Sequence, residues 1–241
     1  MSCLSHERAA LDAALSRLNI SLTSEQCELL LSHLHLLSKK NEEINLTRVE
    51  DIDEAIVLHV EDSLSILPEF NSFPGKFCDI GTGGGFPGIP LGIASGRSGV
   101  LLDSVQKKAR AVQEFVEGLG LSEQLNALGM RSEEFATSHP KAFDVVVARA
   151  VSSLNVVEEL STPLLKMNGH LIAMRGSESE QNIQDGLNAA DILGLELVDR
   201  RDFHIGELSE FYRSVFVFKR VREAEVKLPR RPGMATKRPY K

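Results

Sequence analysis

The run Asp79-Ile80-Gly81-Thr82-Gly83-Gly84-Gly85-Phe86-Pro87-Gly88 constrains this chain more than any other stretch. It grows out of Lys76-Phe77-Cys78-Asp79-Ile80, a short, mostly apolar segment that reads as a strand. Glycines directly after a buried strand let the backbone turn sharply and come close to a ligand that any side chain would block. Pro87 suits the first turn of a following helix, where its missing N–H is no loss. The turn therefore marks the carboxyl end of a strand in an open α/β sheet, which is where such sheets bind ligands.

The flanking sequence agrees with a sheet of that kind. Gly99-Val100-Leu101-Leu102-Asp103 reads as a strand and is followed by a helix from about 105 to 117. Phe143-Asp144-Val145-Val146-Val147 and His170-Leu171-Ile172-Ala173-Met174 repeat the theme, with helical patterns between. Short apolar strands alternating with helices predict a parallel sheet covered on both faces. Near the end, Glu196-Leu197-Val198 and Arg213-Ser214-Val215-Phe216-Val217-Phe218 lack a clear helix between them and predict a terminal antiparallel hairpin. Upstream, Leu4, Leu11, Leu15 and Leu18 recur at helical spacing, as do Leu30, Leu34 and Leu37. Asn19 closes the first of these helices, and Thr23 or Ser24 can cap the second. Ile52, Ile56, Val60 and Leu64 predict a third helix over 52–67, ended by Pro68. The expected organisation is an N-terminal helical element (1–70), a ligand-binding core (71–220) and a basic tail (221–241).

Composition narrows the class. The 241 residues are 42% hydrophobic and 25% charged, an ordinary globular balance that argues against disorder or a disulfide scaffold. No apolar run approaches the roughly 20 residues of a membrane helix, and the opening MSCLSHERAALDAAL has no signal-peptide core. Three widely spaced cysteines without C-x-x-C fit a reducing cytoplasm. The net charge of −7 hides an asymmetry. Residues 219–241 hold nine Lys or Arg against two Glu, a charge of +7 that leaves −14 on residues 1–218. A proline-broken basic end of this kind suits an extended arm along a polyanion.

The ligand of the glycine loop is open at this level. Gly83, Gly85 and Gly88 satisfy G-x-G-x-x-G, a dinucleotide pattern, although the tight turn starts earlier, at Gly81. No Gly-Lys-Ser/Thr follows, which excludes a P-loop. Asp79 would repel pyrophosphate and favour a ligand bearing an amino group. Asp103 ends its strand where two carboxylate oxygens can accept both ribose hydroxyls, unless it merely caps the next helix. Adenosyl ligands of either kind, NAD or S-adenosylmethionine, fit that pair.

Asp79-Ile80-Gly81-Thr82-Gly83 resembles motif I of class I S-adenosylmethionine methyltransferases. The whole chain is similar to the glucose-inhibited division protein B family, the small-subunit ribosomal RNA guanine-N7 methyltransferases. The shared marks run in order: Asn41 and Asn45-Leu46-Thr47, His59 with Asp62-Ser63-Leu64, the run Gly81 to Leu91, then Leu102-Asp103-Ser104. They continue through Glu133-Glu134-Phe135, Arg149-Ala150, Gly169 and Leu228-Pro229-Arg230-Arg231-Pro232-Gly233. The resemblance implies a Rossmann-like class I methyltransferase fold that moves a methyl group from S-adenosylmethionine to N7 of a guanine in 16S ribosomal RNA of the small ribosomal subunit. It places Gly81, Gly83, Gly85 and Phe86 along the cofactor, Asp103 near the ribose, Ser132 and Glu133 beside the adenine, and Arg149 at the pocket.

Guanine N7 carries an available lone pair, so the reaction needs positioning more than acid–base help. No catalytic triad, metal or obligate protein partner is expected, and no catalytic residue is singled out. His33 and His35, at i and i+2 on a helix, point apart, while His59 is either a functional or a packing histidine. RNA contacts are expected from basic groups at the cleft mouth and from the tail. Two alternatives stand beside this reading: an NAD-dependent oxidoreductase, and a non-enzymatic RNA-binding factor of ribosome assembly.

Overall fold

A computed structural model describes residues 3–207 and 209–241. Seven strands form one sheet in the order β3-β2-β1-β4-β5-β7-β6. They are β1 (Phe77–Ile80), β2 (Gly99–Asp103), β3 (Leu125–Gly129), β4 (Phe143–Arg149), β5 (Leu165–Arg175), β6 (Leu195–Ile205) and β7 (Phe211–Arg220). The first five run parallel, with β1 between β2 and β4, so that Ile80 lies level with Leu102 and Ala148. β7 runs antiparallel to both β5 and β6. This is the expected Rossmann-like sheet with a terminal antiparallel hairpin. β6 is much longer than its apolar core Glu196–Val198 predicts, because it is an edge strand whose middle is largely exposed and polar.

Both faces of the sheet are buried, and alternate residues serve opposite layers. Phe77, Val145 and Val147 pack with the N-terminal helices, whereas Cys78, Ile80, Val146 and Ala148 pack under the C-terminal ones. The first layer contains α1 (Cys3–Arg17) and α2 (Ser24–Asn41). Asn19 takes the left-handed conformation that ends α1, with φ 54°. Thr23 caps α2 reciprocally: its hydroxyl accepts from the Gln26 N–H at 3.2 Å, and the Gln26 side chain accepts from the Thr23 N–H at 2.9 Å. Leu11, Leu15, Leu30, Leu34 and Leu37 are buried as their spacing predicts; the Leu4 side chain lies outside the described residues.

The predicted third helix is not uniform. It starts as α3 (Ile52–Ala55), widens into a π-helical turn over Ile56–Glu61, and finishes as α4 (Asp62–Leu64). The Asp62 N–H reaches back five residues to the Val57 carbonyl. Ile56, Val60 and Leu64 still share the buried face. Pro68 does not end this helix; it stands in the first turn of α5 (Leu67–Ser72), where its missing N–H leaves nothing unpaired. The π turn is locked by Glu61, 2% exposed, which accepts two hydrogen bonds from Arg17 at 3.0 and 2.6 Å.

Helices α6 (Gly88–Ser95) and α7 (Gln106–Gly118) follow β1 and β2. α8 (Ser132–Ser138), α9 (Leu154–Ser161) and α10 (Glu180–Leu193) follow β3, β4 and β5. The tail does not extend away as an arm. Val226, Leu228 and Tyr240 pack against the second apolar layer, and a short turn, α11 (Met234–Lys237), buries Ala235. Four of the nine basic residues are spent on intramolecular pairs, Arg220 with Glu223, Arg222 with Asp191, Arg230 with Glu159 and Lys241 with Asp185.

The capping box at Thr23 gives a direct check on how α2 is held. Thr23→Ala should destabilise the protein by about 1 kcal/mol, read as a lower urea midpoint with an unchanged slope.

Candidate active site

The glycine loop is held at both ends by carboxylates. The Gly81 and Thr82 N–H groups donate to the Leu102 carbonyl at 2.8 and 3.0 Å, which starts the turn directly off β1. Gly81, Gly83 and Gly85 all have positive φ, at 73°, 60° and 97°, a conformation open to glycine at little cost. Asp103 at the end of β2 accepts from the Gly83 N–H at 3.0 Å with one oxygen and from the Val105 N–H at 2.8 Å with the other. Asp79 accepts from the Gly88 N–H at 2.9 Å and pins the start of α6 to β1. A Cβ on Gly88 would come within 2.2 Å of Leu101 and 2.7 Å of Asp79, so any other residue there would displace buried side chains.

Asp79 is wholly buried and lines neither cavity described below. Its position in the sequence suggested a ligand's amino group as partner; in the structure one of its oxygens is taken by the Gly88 N–H. Burial pushes its carboxyl up to about 7, against the opposing effect of the Thr82 hydroxyl and the Gly88 N–H.

Two cavities open at the carboxyl edge of the sheet and meet at Gly81. The larger, about 450 Å³, is lined by Gly81 to Gly84 and Phe86 on one side and by His59, Asp62, Arg149 and Arg213 on the other. The smaller, about 250 Å³, is bounded by Leu102, Ser104, Met130, Ser132 and Glu133. Val151 lines the smaller one, 2.6 Å from where a Cβ on Gly81 would lie. A Cβ on Gly83 would touch nothing nearer than 4.0 Å and would project into the larger cavity. Gly85 lines neither; it faces Ile89 and His33. Of the residues expected at the cofactor, Gly81, Gly83, Phe86 and Arg149 thus border the larger cavity. Gly81, Ser132 and Glu133 border the smaller; Asp103 lines neither and braces the loop between β1 and β2.

The N-terminal helices build the far wall. Phe86 is stacked between two imidazoles, His33 at 4.5 Å and His59 at 4.6 Å. His33 donates through Nε2 to the Gly84 carbonyl at 2.9 Å, so α2 grips the loop from beneath. Asn41 accepts from the Leu46 and Thr47 N–H groups, and this fold sets the Thr47 hydroxyl 2.9 Å from His59 Nε2. The π turn brings His59 and Asp62 to the same cavity. Asp62, 3% exposed, accepts from Arg149 at 3.0 Å and from Arg213 at 2.7 Å. Arg149 also donates to the Leu58 carbonyl and lies over the Phe86 ring. With Arg175, three guanidiniums face one carboxylate across this cavity.

These features fit S-adenosylmethionine. Leu102 and Met130 give the smaller cavity an apolar side that suits an adenine, and the Asp103 oxygens, each accepting one backbone N–H, retain lone pairs for ribose hydroxyls. The arginines suit an amino-acid carboxylate, and the missing side chain of Gly83 leaves the passage clear.

Residues 26–208 match the family model described as rRNA small subunit methyltransferase G. The chain belongs to that family. It is 35% identical over 228 residues to the ribosomal RNA small subunit methyltransferase G of Alkaliphilus metalliredigens, covering 93% of this chain and 95% of that one. It is 34% identical to the protein of the same name from Bacillus pumilus, covering 94% and 96%. Among solved structures, the cofactor-bound Rv0187 from MTB superposes with a TM-score of 0.56 at 17% identity, covering 79% of this chain and 90% of that one, and so shares the fold. The protein is accordingly an S-adenosylmethionine-dependent methyltransferase that acts on rRNA. Neither the oxidoreductase nor the non-enzymatic alternative finds support in these relatives.

Two parts of the wall escaped the sequence reading. Asp62 stood in a recognised motif without a role, because its partners Arg149 and Arg213 come from β4 and β7, 87 and 151 residues away. Arg213 carried no signal beyond one cation at the head of an apolar strand.

The buried histidines make the fold sensitive to acid. Burial drives His33 down to about 3 and, with a further push from Arg149, His59 down to about 4. Between pH 6.5 and these values the unfolded chain binds protons that the folded one does not, so stability falls as pH falls. Asp79 acts in the opposite sense, its contribution being lost as pH rises from 3.8 toward 7. Comparing His33→Phe with the wild type separates the two effects. At pH 4.5 the wild type should carry a penalty of about 2–3 kcal/mol at His33 relative to pH 7. The variant should lack it, as read from urea unfolding at both pH values.

Proposed function

We propose that this enzyme transfers the methyl group of S-adenosylmethionine to N7 of a guanine in 16S rRNA, within the small ribosomal subunit and in the cytoplasm. The observation that carries this reading is the pair of cavities meeting at Gly81, above the ends of β1, β2 and β4. In this reading Gly81, Asp103, Ser132 and Glu133 hold the adenosyl end, while Gly83, Phe86 and Arg149 line the path of the methionine end and the target base.

Bound there, S-adenosylmethionine supplies an electrophilic methyl group on a sulfonium. Neutral guanine N7 needs no proton removed before attack, so this chain needs no general base. His59 agrees, since its imidazole stays neutral throughout the physiological range. Catalysis then rests on holding the donor and acceptor in line. Leu46, Val49, Leu58 and Met174 give the larger cavity apolar walls that can exclude water. Asp62 fixes Arg149 and Arg213 at the rim, ready to meet an anionic group of the cofactor or of the RNA backbone.

The RNA surface is better assigned to particular tail residues than to a free arm. Lys227, Arg231, Lys237 and Arg238 are exposed and have no ion-pair partner among the described residues. Replacing Arg231, Lys237 and Arg238 together by Ala should reduce the slope of log affinity against log salt by about 2–3, as measured with 16S rRNA fragments.

The decisive experiment is mass-spectrometric mapping of methylated nucleosides after reaction with undermodified small subunits. A single new 7-methylguanosine in 16S rRNA is expected, and methylation at another base or atom would refute the assignment. Gly81→Asp should abolish both transfer and S-adenosylhomocysteine binding, because the new side chain must occupy the space of Val151 at a positive φ.

A further inference from the structure

The C-terminal tail meets the smaller cavity at two places. The Gly233 N–H donates to Glu133 Oε1 at 2.8 Å, and Thr236, three residues on, lines the cavity itself. Glu133 is only 7% exposed, so this part-buried contact is partly shielded from competing water. The segment is anchored on either side. Arg230 forms a two-pronged ion pair with Glu159 of α9, which is 3% exposed, and its guanidinium covers the Tyr240 ring. Asn155, at the start of α9, donates to the Tyr240 carbonyl at 2.7 Å. Ala235 is buried to 1% between these anchors.

We infer that Gly233–Lys237 is the outer wall of the adenine half of the cofactor site, so that the tail belongs to the binding machinery for S-adenosylmethionine. The inference rests on the placement of the adenosyl end between Asp103 and Glu133. Glu133 then has two tasks. One oxygen holds the tail, and the other, 3.4 Å from the Ser132 hydroxyl, is left for the ligand side. A chain lacking the wall would keep the strand ends that define the floor of the slot and lose the surface that closes it.

Calorimetry with two ligands tests this: S-adenosylhomocysteine, and 5′-methylthioadenosine, which keeps the adenosine and lacks the amino-acid end. The proteins are the full chain, a chain ending at Pro232, Thr236→Trp in the full chain, and Asp103→Ala. The shortened chain retains Arg230, Val226 and Leu228, the anchors on the near side of the segment. It should bind both ligands about tenfold more weakly. Thr236→Trp fills the slot from an exposed position and should weaken both at least as much at an unchanged melting temperature, which keeps the test valid if the shortened chain does not fold. Wild-type affinity of Thr236→Trp for both ligands would overturn the inference, and so would a loss confined to S-adenosylhomocysteine. If Asp103→Ala weakens both ligands while the tail variants do not, the wall alone is refuted. If Asp103→Ala also binds normally, the placement of the adenosyl end fails with it.

Discussion

The structure depends on a turn that carries almost no side chains and is fixed by two carboxylates. Asp79 ties the Gly88 N–H to the end of β1, and Asp103 ties the Gly83 N–H to the end of β2. Between them Gly81, Gly83 and Gly85 take positive φ, and Gly81, Gly83 and Gly84 leave the wall of the larger cavity without side chains. A loop of glycines costs conformational entropy to order, and the hydrogen bonds to these two carboxyl groups offset part of that cost. Asp79 is so deeply buried that its carboxyl titrates near neutrality. In the structure it holds the backbone of the turn to the end of β1.

The N-terminal helices are part of the same site. α2 sends His33 under Gly84, the π turn sends His59 onto Phe86 and Asp62 onto two arginines, and Asn41 shapes the loop that brings Thr47 to His59. The apolar layer they share with β1 and β4 is continuous. A wide π turn puts an extra residue into the helix, and such turns concentrate where side chains must be re-aimed at a functional surface. Here it separates the buried stripe Ile56, Val60 and Leu64 from the cavity-facing pair His59 and Asp62.

Charge in this protein is organised by the fold more than by composition. The basic end looked like an arm for RNA, yet Arg222, Arg230 and Lys241 are committed to acidic partners on the body, and Arg220 to Glu223 three residues on. What remains for a polyanion is a small exposed set, Lys227, Arg231, Lys237 and Arg238, held on a docked segment. The same segment reaches the wall of the smaller cavity through Gly233 and Thr236. A count of lysines and arginines cannot distinguish a cation used inside the molecule from one left free, because three of these four pairs join the tail to acidic residues far back in the chain.

Local signals in the chain determined the parallel sheet, the turn after β1, the caps at Asn19 and Thr23, and the family with its cofactor. Each rests on neighbours within a few residues: period-two or helical burial, glycine at a sharp turn, and a side chain that bonds its own backbone. The π turn, the Asp62–Arg149–Arg213 cluster, the inward burial of Asp79 and the docking of the tail were decided only in three dimensions. Those features join strands and helices that are distant in the chain, and burial and pairing are properties of the assembled surfaces. The glycine run announced where a ligand would bind; the tertiary structure determined which side chains surround it.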